Sequence, residues 1–275
     1  EDGKARSVAH VIEASALRDG RVPVRSGLAS AAASLITLST GGSTGREGPV
    51  VHLAATITSW VSARIDASPM TSREMLGCAV AAAVSASFNA PIAGAVFALE
   101  VVLRHFAMRA FAPIVVASIA GTVVSRVHMG DVTEFLLPEH SLGFYQELPA
   151  FLILGGLSGL VAVAMMKAIF FAERMGDGVQ GALRIPGWLR PGVAGVFLGV
   201  IALQFPHIIG VGYETTSRAL TVDVGFFEAI VFAVVKVVAV ALTFAGRMGG
   251  GVFSPALMLG ALTGLAFGYV AVGVF

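Results

Sequence analysis

The chain has 275 residues, 56% of them hydrophobic and 13% charged, with a formal net charge of +1. The charged share is about half that of a soluble domain and the mean hydropathy is +0.85, which excludes a water-soluble globular fold. No basic patch is large enough for nucleic acid, and the long Gly/Ala-rich apolar runs exclude a β-barrel, whose segments alternate over roughly ten residues. The expected class is all-α integral membrane.

In chain order, the polar start Glu1-Asp2-Gly3-Lys4 lacks a signal-peptide pattern, and residues 9–17 are weakly helical. Arg18, Arg21 and Arg25 form a basic connector that fits a cytoplasmic loop. Residues 27–40 are apolar but too short for an upright span, and a Gly-rich loop follows at 41–49. A helix is expected over 49–65, a polar turn over 66–73, and a small-residue-rich helix over 75–89. Cys78 sits in that run as a small packing residue, and a lone cysteine excludes an internal disulfide.

Pro91 restarts a helix to about Arg104, and 107–127 is a further apolar segment. After a loop at 128–147 comes a strongly apolar span, 148–172, broken off by the polar segment 173–184. Pro186 and Pro191 flank a turn into 192–205, and 210–214 is a second glycine break. Residues 226–245 form a full span, 246–251 a third glycine break, and 252–275 a last span that ends in an apolar run. The expected organisation is two membrane halves, 1–127 and 148–275, in a piece of a longer protein. Broken helices at membrane depth must face protein or a water-filled cavity.

The loop 41–49 reads Gly-Gly-Ser-Thr-Gly-Arg-Glu-Gly-Pro and runs straight into an apolar helix. Glycines admit a ligand close to the backbone, and Pro49 suits a first helical turn. The positive end of the helix dipole and its unpaired N–H groups favour an anion there. Glu47 lies in that same positive end, so its carboxylate competes with an external anion and is a candidate gate.

An internal repeat points the same way. A shift of 206 positions lays Gly45, Pro49, Leu53 and Ala55 over Gly251, Pro255, Leu259 and Ala261, with Thr37 over Thr243. Both copies are a glycine loop, then Gly-x-x-x-Pro, then an apolar helix, so two helix N-termini would face one site.

Three stretches carry a family resemblance. Gly45-Arg46-Glu47-Gly48-Pro49, Gly251-Val252-Phe253-Ser254-Pro255, and Phe88-Asn89-Ala90-Pro91-Ile92-Ala93-Gly94 with Phe97 and Glu100 resemble motifs of the CLC chloride channel and transporter family. The resemblance covers nearly the whole chain. It implies a helical membrane domain of two inverted repeats of tilted and broken helices, truncated here at both ends. It also implies a homodimer in lipid, chloride or a similar anion as the transported species, no cofactor, and no enzymatic activity. A bacterial inner membrane is the expected location.

Carried over residue by residue, Glu47 is the gate that blocks the outer anion site until protonated. The backbone around Gly45, Arg46, Gly48, Pro49, Gly251, Val252, Phe253, Ser254 and Pro255 holds the anion. Phe253 lines the pathway, and Glu100 is a possible proton-pathway residue. Two departures stand out. The position expected for a pore serine falls on Arg6, and the position where proton-coupled members carry an inner glutamate is Val101. The latter weighs against proton antiport, so the reading is channel-like, with a chloride/proton antiporter or a non-conducting fragment of such a protein as the alternatives. The family's pore tyrosine falls in a helix beyond this chain.

Outside the motifs, His52 is expected to play a structural part near Glu47, and Lys236 to pair with another helix or snorkel. A second reading of the glycine loop, a phosphate- or nucleotide-handling enzyme, is disfavoured because no Gly-Lys-Ser/Thr pattern accompanies the glycines.

Overall fold

The computed structural model describes residues 6–104, 108–130, 135, 148–184 and 186–274. Its regular structure is helical: α1 Val8–Leu17, α2 Val24–Ser39, α3 Glu47–Arg64, α4 Pro69–Phe88, α5 Pro91–Phe97, α6 Met108–Met129, α7 Leu148–Leu183, α8 Arg190–Gln204, α9 Tyr213–Leu220, α10 Phe226–Ala245 and α11 Phe253–Val274. A π-helical turn, Ala98–Leu103, continues α5, and a 3-10 turn, Pro206–Ile208, follows α8. Among the described residues, α6, α7, α10 and α11 are long and apolar enough to cross a membrane. Most of the loop at 128–147 lies outside the described residues, although α6 already takes in His128 and Met129.

Several boundaries differ from the sequence reading. The polar stretch after Ile65 is partly helix, because α4 begins at Pro69 with Ser68 as N-cap, its hydroxyl accepting from the Thr71 amide at 3.2 Å. The polar segment 173–184 does not end α7, which runs for 36 residues, roughly 54 Å and far more than a bilayer core. Its polar end is satisfied by buried Arg190, which donates to Asp177 at 2.5 Å, Gln180 at 2.7 Å and the Ala245 carbonyl at 2.6 Å. The glycine break near 210 leads into α9, a short helix that periodicity could not find because it spans only two turns.

Two packed halves emerge. One core joins Val11 and Ala14 of α1, Val51 and Ala55 of α3, Leu76 and Val80 of α4, Leu99 of the π turn and Ile114 of α6. Close approach in this half depends on small residues. A Cβ on Gly94 would lie 2.0 Å from the Ser85 hydroxyl, so α5 packs on α4 through a bare backbone. The other half gathers α7–α11 around Met165, Ala229, Val240, Met258, Leu259 and Leu262.

The halves meet through the two glycine loops. Gly45 and Gly251 exchange both backbone hydrogen bonds, at 2.7 and 2.9 Å, as an isolated antiparallel pair. Around them the amide of Ser43 donates to Thr243 Oγ1 at 3.2 Å, and that of Gly249 donates to Thr37 Oγ1 at 3.1 Å. The same 206-residue offset relates both partners of these two bonds, so the contacts repeat about a local two-fold axis. This joint sets the starts of α3 and α11 side by side.

Candidate functional site

Three helices begin around one cavity of about 300 Å³. Its wall includes Ser7 and Val8 at the start of α1, Glu47 and Gly48 at the start of α3, and Val252 and Phe253 at the start of α11. The opening amides of a helix lack intrahelical partners and carry its positive dipole end, so all three helices favour negative charge at this spot. Among the described lining residues, Ser7 and Glu47 supply the polar side chains, and the rest are glycine, alanine, valine or phenylalanine. Phe253 closes one wall with Phe88 at 5.2 Å and Phe97 at 6.3 Å between ring centroids. An apolar wall with backbone dipoles suits a weakly hydrated anion.

Glu47 is the first residue of α3 and only 3% exposed. Its Oε1 accepts two hydrogen bonds of 2.5 Å, from the hydroxyls of Tyr213 in α9 and Ser254 in α11. Its Oε2 is buried without a partner among the described residues. A Cβ on Gly45 would stand 2.7 Å from Oε2, so glycine there makes room for the carboxylate to fold back over its own loop. Arg46 Nε lies 3.9 Å from Oε1, and its guanidinium sits 5.1 Å from the centre of the Tyr213 ring. Phe135 meets that ring edge-on at 5.4 Å.

The other residues singled out by sequence take distinct places. Gly45 and Gly251 spend their amides on each other, so they shape the site rather than offer it N–H groups. Pro49 and Pro255 each stand third in their helix and have no amide to give. Gly48 and Val252 line the cavity, whereas Ser254 is fully buried behind it and donates to Glu47. Arg6 does not line the cavity, whereas Ser7, one residue on, does. Val101 is in the cavity wall, whereas Glu100, beside it on the π turn, is exposed and outside the lining. His52 faces His10, 6.5 Å away between ring centres, with Val51 and Gly48 of its own helix on the cavity side.

Tyr213 was missed in the sequence, although it lies within the glycine break at 210–214. In the structure the positive φ of Gly210 and Gly212, at 63° and 84°, turns the chain into α9, which Tyr213 begins. Lys236 sits behind that turn. Only 1% exposed, it donates to the carbonyls of Ile208 at 3.1 Å and Gly210 at 3.0 Å, and neither snorkels nor forms one of the ion pairs among the described residues. No group of three or more His, Cys, Asp or Glu among the described residues could hold a metal.

Comparison with known proteins follows the same line. The family model described as voltage gated chloride channel matches residues 1–275. A ClcB-like chloride channel protein from Ralstonia nicotianae is 30% identical over 261 residues, covering 94% of this chain and 60% of that protein. Chloride channel protein CLC-e from Arabidopsis thaliana is 29% identical over 253 residues, with 86% of this chain and 35% of that protein covered. The chain thus spans less than two thirds of either relative's length. Among solved structures, a slow cyanobacterial Cl⁻/H⁺ antiporter superposes with a TM-score of 0.84 at 20% identity, over 100% of this chain and 64% of the other. A CLC-type fluoride/proton antiporter gives 0.78 at 22% identity, over 95% and 66%. These two likenesses bear on the fold. With the motifs, the paired loops and the match over its full length, the chain belongs to the voltage-gated chloride channel, or CLC, family of integral membrane proteins.

Proposed function

We propose that the protein carries chloride or a similar anion across a membrane, through the cavity where α1, α3 and α11 begin, with Glu47 as its gate. The observation that carries this reading is the Glu47 carboxylate itself, buried at a helix N-terminus on the wall of that cavity, with Oε2 unpartnered among the described residues. A negative group held at the positive ends of α3 and α11 occupies the place an anion would take, so carboxylate and anion exclude each other. The amides near Gly48, Val252 and Phe253 hold the anion, and Phe253 with its aromatic neighbours lines the pathway. Protonation neutralises Glu47, weakens its hold, and admits the anion.

The reading is channel-like. Val101 stands in the same cavity wall as Glu47 and cannot carry a proton, while Glu100 lies outside that wall. Relatives named as chloride channels and as H⁺/Cl⁻ exchange transporters both match this chain, the exchangers at 27–28% identity. The two halves on either side of 128–147 act as the inverted repeats, joined at Gly45 and Gly251. The family resemblance of the sequence motifs extends the reading to a homodimer in a bacterial inner membrane. The test is chloride efflux from liposomes carrying the protein. Glu47→Ala, which vacates the gate and leaves room for a further anion, should raise efflux at neutral pH; efflux equal to that of empty liposomes for parent and variant would reject the reading.

A further inference from the structure

We propose that Tyr213 and Ser254 form a two-hydroxyl latch that holds the Glu47 carboxylate closed and sets the proton concentration at which the gate opens. This rests on the gate reading above and adds the residues that tune it. Both hydroxyls converge on one oxygen, Oε1, at 2.5 Å each, and Ser254 Oγ lies 3.4 Å from the Tyr213 hydroxyl. Tyr213 and Ser254 come from different helices of the second half, whereas Glu47 belongs to the first. The latch therefore spans the joint between the halves and breaks whenever Glu47 swings out.

Hydrogen bonds to an ionised acceptor are about twice as strong as neutral ones, so the latch favours the charged, closed carboxylate over the protonated, released one. Oε2, buried and without a partner among the described residues, is the oxygen left to take the proton. Once it does, Oε1 becomes a weaker acceptor and both hydroxyls loosen together. Arg46, at 3.9 Å, and Tyr213 itself stand against the carboxylate, and Arg6, His10 and His52 gather nearby where α1 packs on α3. Arg46 also leans on the Tyr213 ring and Phe135 packs on its edge, so the phenol is positioned before the carboxylate arrives. On the far side, Lys236 ties down the Gly210 turn that carries α9. Tyr213 and Ser254 are positioning residues that act through Glu47.

The experiment measures chloride efflux from liposomes across a pH series for the parent, Tyr213→Phe, Ser254→Ala, Ser254→Thr and Glu47→Gln. Tyr213→Phe keeps the ring and its contacts with Arg46 and Phe135, and removes the hydroxyl alone. The half-maximal pH for efflux is expected to move to higher pH by about one unit in Tyr213→Phe and in Ser254→Ala, and further when the two are combined. Ser254→Thr, which restores a hydroxyl, should move the profile back toward the parent's. Tyr213→Phe and Ser254→Ala profiles that superimpose on the parent's, while Glu47→Gln has lost its pH dependence, would overturn the latch and leave the gate standing. A Glu47→Gln profile as steep as the parent's would contradict the gate and the latch together.

Discussion

Gly45 and Gly251 are hydrogen-bonded to each other in both directions, 2.7 and 2.9 Å, across the line where the two halves of the chain meet. This pair brings α3 and α11 together so closely that a Cβ on Gly251 would stand 3.1 Å from the Gly48 amide nitrogen. The proposed gate depends on that approach, because anion and carboxylate would compete at both helix starts.

The joint can be tested through stability. At Gly250 the backbone has φ +155°, and a Cβ would fall 1.9 Å from the buried hydroxyl of Thr44. Gly250→Ala must push the loops apart, at a cost of about 1–3 kcal/mol. Gly260→Ala is the control, since nothing lies within 4 Å of its Cβ position. Melting in detergent should show a clear drop for the first and little change for the second; equal melting temperatures would contradict the close packing at the joint.

Proton coupling gives a second expectation. With Val101 in the cavity wall and Glu100 turned away from it, a chloride gradient should drive little or no proton movement. Simultaneous chloride and pH recording on liposomes decides it. Proton uptake in fixed proportion to chloride would mean that another group or a water path does the work assigned elsewhere to an inner glutamate.

Lys236 provides a third. Its ammonium holds the carbonyls of Ile208 and Gly210, and through them the turn that aims α9 at Glu47. Lys236→Met keeps the length but removes both donors, leaving two carbonyls unpaired in a buried place at about 1–3 kcal/mol each, offset by relief of the buried charge. A loosened turn should shift the pH profile of efflux in the same direction as Tyr213→Phe. An unchanged profile would confine Lys236 to packing.

How much of this was legible in the sequence depends on how local the cause was. The helix starts at Pro49 and Pro255, the break before Gly251 and the bounds of α10 follow from proline, glycine and apolar runs, all short-range signals. Glu47 was legible because an acid inside an apolar, glycine-led helix start is costly unless it has a task. Tyr213 was not, because its partner lies 166 positions away and no spacing along the chain announces the contact. The length of α7 escaped for a related reason: its polar end is stabilised by Arg190, which belongs to the next helix.

The account turns on Glu47, and the most direct measurement is chloride efflux from liposomes as a function of pH for the parent and Glu47→Gln. The substitution removes the charge at nearly constant volume and so imitates the protonated gate. The account predicts that parent efflux rises as pH falls, because protonation removes the charge that competes with the anion, and that Glu47→Gln efflux is high and flat across the same range. Efflux from Glu47→Gln that still rises with acid as steeply as the parent's would contradict it, reducing Glu47 to a helix-start carboxylate and placing the gate elsewhere.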